Sequence, residues 1–157
     1  MNQVLWCTWT FCILYFHRAY SITYPFTNWC GQGNTAKDYN DLGYYRDLDM
    51  CCRSHDNCKL SVSPGGSLLN YTNTGQYTHS ACYCDEQLKI CLKNDNKYPF
   101  ETIATKIITS IYFKWVKNPC LILLPGSHGN HLLQELQFYD YASFKSTDAA
   151  KDVFNLD

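Results

Sequence analysis

The octapeptide Cys51-Cys52-Arg53-Ser54-His55-Asp56-Asn57-Cys58 sets an imidazole beside a carboxylate among three cysteines. An imidazole with an unperturbed pKa of about 6.5 is largely neutral at pH 7 to 8 and can take a proton from water, so hydrolysis needs no serine or cysteine nucleophile. A carboxylate is an oxygen ligand for a hard cation. Neighbouring side chains on a helix diverge by about 100°, so one can face a water while the other faces a metal. For His55 and Asp56 taken alone, two ordinary polar residues, one capping and one partly buried, is the simpler reading. The surroundings decide between the two.

Upstream lies Trp29-Cys30-Gly31-Gln32-Gly33-Asn34, where glycines alternate with larger residues and let backbone carbonyls turn inward. Calcium takes six to eight oxygen ligands, and carbonyls beside one carboxylate can supply several of them. By itself a G-x-G is an ordinary turn.

The elements that must position these groups are helices. One over 47–59 has Asp47 available as an N-cap and puts Cys51, His55 and Cys58 on one face at i, i+4 and i+7. A second over 80–93, with Ser80 as the cap, repeats that spacing in Cys84, Leu88 and Cys91. A third over 100–117 carries Ile103, Ile107, Ile111 and Trp115 as an apolar stripe expected to cover the other two. Turn residues alternate with short β-prone runs over 61–78, which predicts a small β-hairpin or an exposed loop. Beyond Cys120, a Pro125-Gly126 turn and a Tyr- and Phe-rich tail are expected to add C-terminal strands.

The chain's 157 residues fit one domain. Val4–Phe16 is uncharged and mostly apolar, too short to span a membrane, and is followed by the small-x-small pattern Ala19-Tyr20-Ser21, so residues 1–21 read as a secretory signal peptide. Its removal leaves eight cysteines, Cys30, Cys51, Cys52, Cys58, Cys82, Cys84, Cys91 and Cys120, which an exported chain keeps oxidised. Zinc is the rival use, but paired C-x-x-C knuckles are absent. The mature chain carries 12 Lys and Arg against 14 Asp and Glu. That near balance excludes a nucleic-acid footprint and leaves adhesion to a membrane mainly to apolar and aromatic contacts. His79, His128 and His131 are expected at the surface, and Asn70-Tyr71-Thr72 matches a glycosylation sequon.

Taken in order, WCGQGN, LGYYRDLDMCCRSHDNC, CYCDEQLKIC and YFKWVKNPC closely resemble the bee-venom type (group III) of secreted phospholipase A2, over about residues 22–120. The resemblance implies calcium-dependent hydrolysis of the sn-2 ester of glycerophospholipids at a lipid interface, releasing a fatty acid and a lysophospholipid. It makes His55 the general base, Asp56 and the carbonyls of Trp29, Gly31 and Gly33 the ligands of one calcium ion per active site, Asp85 the carboxylate that orients His55, and Tyr112 its support. It also implies the pairing Cys30–Cys52, Cys51–Cys91, Cys58–Cys84 and Cys82–Cys120. Sequence alone leaves 105 pairings open. Positions 51 and 91 share their sum with positions 58 and 84, as facing levels on antiparallel helices require; the swapped pairs share a constant difference and fit parallel helices equally well. In the antiparallel register Asp85 lies within roughly 3 Å of axial offset from His55, near enough to accept its Nδ1 proton.

The expectation is therefore a mainly α, disulfide-rich fold: two antiparallel helices cross-linked by disulfides, a calcium-binding loop, a third amphipathic helix, a small hairpin and C-terminal strands. Residues 22–157 form the secreted domain, with 122–157 a variable tail lacking the additional tail disulfide of the bee-venom type. The expected partner is a phospholipid membrane or micelle surface, met by a monomer, with no nucleic acid. Tyr24 and Phe26, beside the glycine loop, are candidates for seating the chain on lipid. The rival class is a non-catalytic toxin on the same scaffold that binds a protein receptor. Such a protein tolerates loss of the base or the metal ligand, whereas His55, Asp56, Asp85 and both glycines are intact here.

Overall fold

The computed structural model describes residues 22–95, 98–126 and 131–144. The expected signal peptide, His128 and the end of the tail lie outside them. Strand β1 (Ile22–Thr23) pairs antiparallel with β2 (Gly31–Gln32). Helix α1 (Arg46–Asp56) follows, then two nested antiparallel pairs: β3 (Ser61–Val62) with β6 (His79–Ser80), and between them β4 (Ser67–Leu68) with β5 (Tyr71–Thr72). Helix α2 (Cys82–Asn94) leads to α3 (Pro99–Ser110), which widens into a π-helical turn over Ile111–Val116. The tail holds the antiparallel pair β7 (Cys120–Pro125) and β8 (His131–Leu136), then α4 (Phe138–Phe144).

The helices start differently from the sequence expectation. Asp47 lies in the first turn of α1, where its charge favours the helix dipole, and does not cap it. The α1 amide of Leu48 instead donates to Glu101 Oε1, 3.0 Å away and 53 positions along the chain. Ser80 belongs to β6, and Ala81, in extended backbone, precedes α2. Pro99 opens α3 at a position where its missing N–H costs nothing. Lys117, at φ 48°, ends the π-helical turn in the left-handed region.

Four disulfides join Cys30 to Cys52, Cys51 to Cys91, Cys58 to Cys84 and Cys82 to Cys120. Cys51–Cys91 and Cys58–Cys84 run in reversed order, so α1 and α2 are antiparallel. Cys52, next in the chain to Cys51, ties α1 to the glycine loop instead. The main core gathers Trp29, Leu48, Leu88, Leu92, Ala104 and Phe113 around these bridges. Two smaller clusters, one with Cys82, Ile122 and Tyr141 and one with Val62, Leu121 and Leu133, fasten the tail strands to α2 and to the hairpin.

The third helix departs from its expected packing. Ile103, Ile107, Ile111 and Trp115 are all exposed, Trp115 to 81%. The inward face is Ala104, Thr105 and Ile108. His79 is also a correction: it is buried, with Nδ1 2.6 Å from Tyr71 Oη, which donates to Glu135 Oε2 at 2.6 Å. Tyr71 has one proton to give, so its oxygen accepts from His79 Nδ1–H. This chain of bonds ties the hairpin to β8. Asn70 does the same: its amide donates to Leu133 O (3.1 Å) and accepts from Leu133 N (2.7 Å), so the group a glycan would need is already engaged.

Candidate active site

His55 sits in the last turn of α1 and Asp85 near the start of α2, where the antiparallel register sets them face to face. His55 Nε2 lies 2.7 Å from Asp85 Oδ1. The ring nitrogen is thus not the Nδ1 expected from sequence. An axial offset fixes which residues meet, whereas the ring's rotation decides which nitrogen does. With Nε2–H donating to a carboxylate, the lone pair resides on Nδ1, which faces Asp56 Oδ1 at 4.0 Å.

Tyr112 reaches the pair from the π-helical turn after α3. Its hydroxyl donates to Asp85 Oδ1 at 3.0 Å and lies 3.0 Å from His55 Nε2, with the two rings edge to face at 5.1 Å. Asp85 is fully buried, and the two donors on Oδ1 compensate its charge. Burial first, then the charge of Asp85, holds the Tyr112 phenol well above the ordinary tyrosine range, so it stays a donor. The wide turn brings consecutive residues Tyr112 and Phe113 inward, one to the site and one to the core.

Asp56 turns toward the glycine loop. Burial pushes its carboxyl up to about 7, opposed by His55 and reinforced by Asp49. A bound cation would favour the ionised carboxylate, and the backbone around Gly31 and Gly33 lines the same cavity. Gly31 lies so close to β1 that any Cβ would collide with Ile22 O, and Gly33 holds φ 74°, so both positions need glycine. This donor set, all oxygen and with one carboxylate, fits a hard cation.

One functional residue escaped the sequence reading. Asp49, fully buried on α1, accepts from the backbone nitrogens of Asn28 (2.9 Å), Trp29 (2.8 Å) and Gly43 (2.7 Å). It pins the glycine loop to the helix that carries His55 and Asp56. Its signal was only an acidic residue seven positions before Asp56, hence on the same face of the helix. A separate acidic group, Asp47, Asp95 and Glu101, brings oxygens within 4.8 Å of one another where α1, α2 and α3 meet. Glu101 there caps α1, and Asp95 Oδ2 accepts from Thr105 Oγ1 at 2.8 Å.

A cavity of about 490 Å³ opens at His55 and Asp56 and is walled by apolar side chains, among them Leu88, Ile108, Ile111 and Val116. The arrangement offers a base aimed at an apolar slot beside an oxygen cradle, which suits attack by water on an ester with a long hydrocarbon arm.

The family model for phospholipase A2 matches residues 23–123. The chain belongs to the phospholipase A2 family. A phospholipase A2 of Apis dorsata is 38% identical over 135 residues, which cover 86% of this chain and 98% of the relative. One from Apis cerana cerana is 37% identical over the same extent, and the large subunit of a phospholipase A2 from Chersonesometrus fulvipes is 42% identical over 94 residues, 60% of this chain and 89% of its own. These bee and scorpion relatives make the chain a group III phospholipase A2, an enzyme that hydrolyses lipid esters. Among the described residues of the phospholipase, no helix is long and apolar enough to cross a membrane.

Proposed function

We propose that this phospholipase A2 hydrolyses the sn-2 ester of glycerophospholipids at a lipid surface, with one calcium ion per active site, releasing a fatty acid and a lysophospholipid. The observation that carries this reading is the pairing of His55 Nε2 with the buried Asp85, which leaves Nδ1 open to the cleft beside Asp56.

Asp56 and the carbonyls of Trp29, Gly31 and Gly33 would hold the ion. When bound, calcium supplies the positive charge that binds the substrate phosphate and ester carbonyl and stabilises the oxyanion. His55 Nδ1 takes a proton from a water as that water attacks the ester carbon. Asp85 fixes the ring and stabilises the imidazolium, while Tyr112 holds Asp85 in place. The imidazolium then returns its proton to the departing glycerol oxygen, restoring the base.

The exposed stripe Ile103, Ile107, Ile111 and Trp115 supports docking on lipid, because Ile111 also lines the apolar cavity, so the stripe runs up to its mouth. Ile22 also lines the cavity and is 68% exposed. Of the two residues picked from sequence, Phe26 is exposed, while Tyr24 packs against the core and lines the cavity. Secretion accords with the four disulfides. The test is fatty-acid release from phosphatidylcholine vesicles with calcium and then with chelator. Calcium-dependent release is expected, and equal, negligible release in both arms would end the reading.

A further inference from the structure

Three acidic side chains meet at the end of the α1–α2 pair remote from the cleft. Asp47 stands in the first turn of α1, Glu101 in the first turn of α3, and Asp95 directly after α2. One oxygen from each lies within 4.8 Å of the other two. From Asp47 to Asp56 the helix rises about 13 Å at about 1.5 Å per residue, so this group stands apart from the cradle at the cleft. Asp95 and Glu101 are only 6% and 3% exposed, while Asp47 is half-buried and keeps contact with solvent.

The carboxylate of Asp95 lacks the donors that its burial demands. Its Oδ1 is shut off from solvent and has no hydrogen-bond partner among the described residues. Its Oδ2 lies 2.8 Å from Thr105 Oγ1, but Glu101 O lies at the same distance from that hydroxyl, which has one proton to give. Asp95 also stands at the negative end of the α2 dipole, where a carboxylate is disfavoured. Neither Asp95 nor Glu101 forms an ion pair with a Lys or Arg among the described residues. A buried charge in this position calls for a counter-charge.

From these observations we infer that the junction of α1, α2 and α3 is a second cation site, separate from the proposed catalytic one, which takes a calcium-sized divalent ion through Asp47, Asp95 and Glu101. Two ligands of one calcium ion, each about 2.4 Å from it, can stand no more than about 4.8 Å apart, so the three oxygens can share one ion. A proton neutralises one carboxylate, whereas a divalent ion touches all three and supplies Asp95 with its missing partner. Water arriving on the side of Asp47 completes the oxygen shell. The ion clamps three helix ends together, at the point where Glu101 already holds the amide of Leu48 at the start of α1.

Thermal melts of the Asp56→Asn protein, with the active-site carboxylate neutralised, isolate this site from the catalytic one. About 10 mM calcium is expected to raise its Tm by about 3–6 °C over chelator, as a dissociation constant of about 1 mM requires, and sodium chloride of equal ionic strength should not reproduce the shift. Adding Asp95→Asn should abolish the response. In chelator that isosteric change should leave the Tm no lower than before, because a repelled charge is gone. Asp47→Asn, at the ligand nearest solvent, should weaken the response in the same direction. A Tm indifferent to calcium, a shift matched by sodium chloride, or one that survives both substitutions would overturn the inference. Each of those results leaves the hydrolytic reading standing, which fails instead if the unaltered chain releases no fatty acid in calcium.

Discussion

The carboxylate of Asp49 accepts a 2.8 Å hydrogen bond from the backbone nitrogen of Trp29, and the same side chain holds the amides of Asn28 and Gly43. One buried side chain therefore fixes the glycine loop relative to Asp56, one helical face and two turns further on. A hydrogen bond to a charged group is worth about 1.5–3 kcal/mol, so Asp49→Asn is expected to weaken calcium binding about tenfold or more while the disulfides keep the fold. Calorimetric titration with calcium, alongside far-UV circular dichroism, measures both. Unchanged affinity would show that the loop holds its shape without Asp49.

The His55–Asp85–Tyr112 contacts separate into a large and a small effect. His55→Gln should leave the fold and lower kcat about 10²- to 10⁴-fold, the usual worth of a general base. Tyr112→Phe removes one of the two hydrogen bonds that the Asp85 carboxylate accepts, worth about 1.5–3 kcal/mol to Asp85 but reaching the reaction only through it, and should cost about tenfold or less. Calcium affinity should survive in both. Comparable losses for the two variants would contradict the division of labour.

The buried His79 gives a pH dependence in stability. Burial holds its imidazole below the usual histidine range, with Glu135 and Asp85 opposing. The folded chain then binds fewer protons than the unfolded chain between the depressed value and about 6.5, so stability rises with pH across that window and is lost as pH falls through it. Thermal melts from pH 7.5 to 5 should show a steeper decline for the parent than for His79→Gln. Parallel declines would mean that His79 does not report on folding.

The exposed stripe predicts a loss of surface binding without a loss of fold. Burying a large apolar side chain is worth about 1.5–3 kcal/mol, so Ile107→Ser with Trp115→Ala should reduce vesicle partitioning at least about tenfold. Turnover of a dispersed short-chain substrate should barely change. Sedimentation with vesicles and the soluble assay give the two numbers.

Local chemistry was the most legible part of this sequence. The cysteine spacing, with His55 between two bridged levels and Asp85 nearly opposite, follows from the 3.6-residue repeat and needs nothing from the rest of the chain. What stayed hidden depended on distant partners. Glu101 caps a helix that begins 55 residues earlier, and no local pattern announces it. Asp49 looks like any acidic residue in a first helical turn until its three amide partners are seen. The stripe Ile103–Ile107–Ile111–Trp115 misled for another reason. Periodicity shows that one face is apolar, but not whether protein or lipid covers it. The tail strands lacked a hydrophobic alternation strong enough to fix their register, which comes instead from packing against α2 and the hairpin.

Adjacent cysteines 51 and 52 pull α1 in two directions, one toward α2 and the other toward the glycine loop. The helix is braced like a mast with opposed stays, and what it bears, Asp49, His55 and Asp56, keeps its spacing whatever happens at the periphery. The hairpin, the tail and the exposed apolar stripe lie outside those two stays, so substitutions there should alter what surrounds the site and leave its spacing alone.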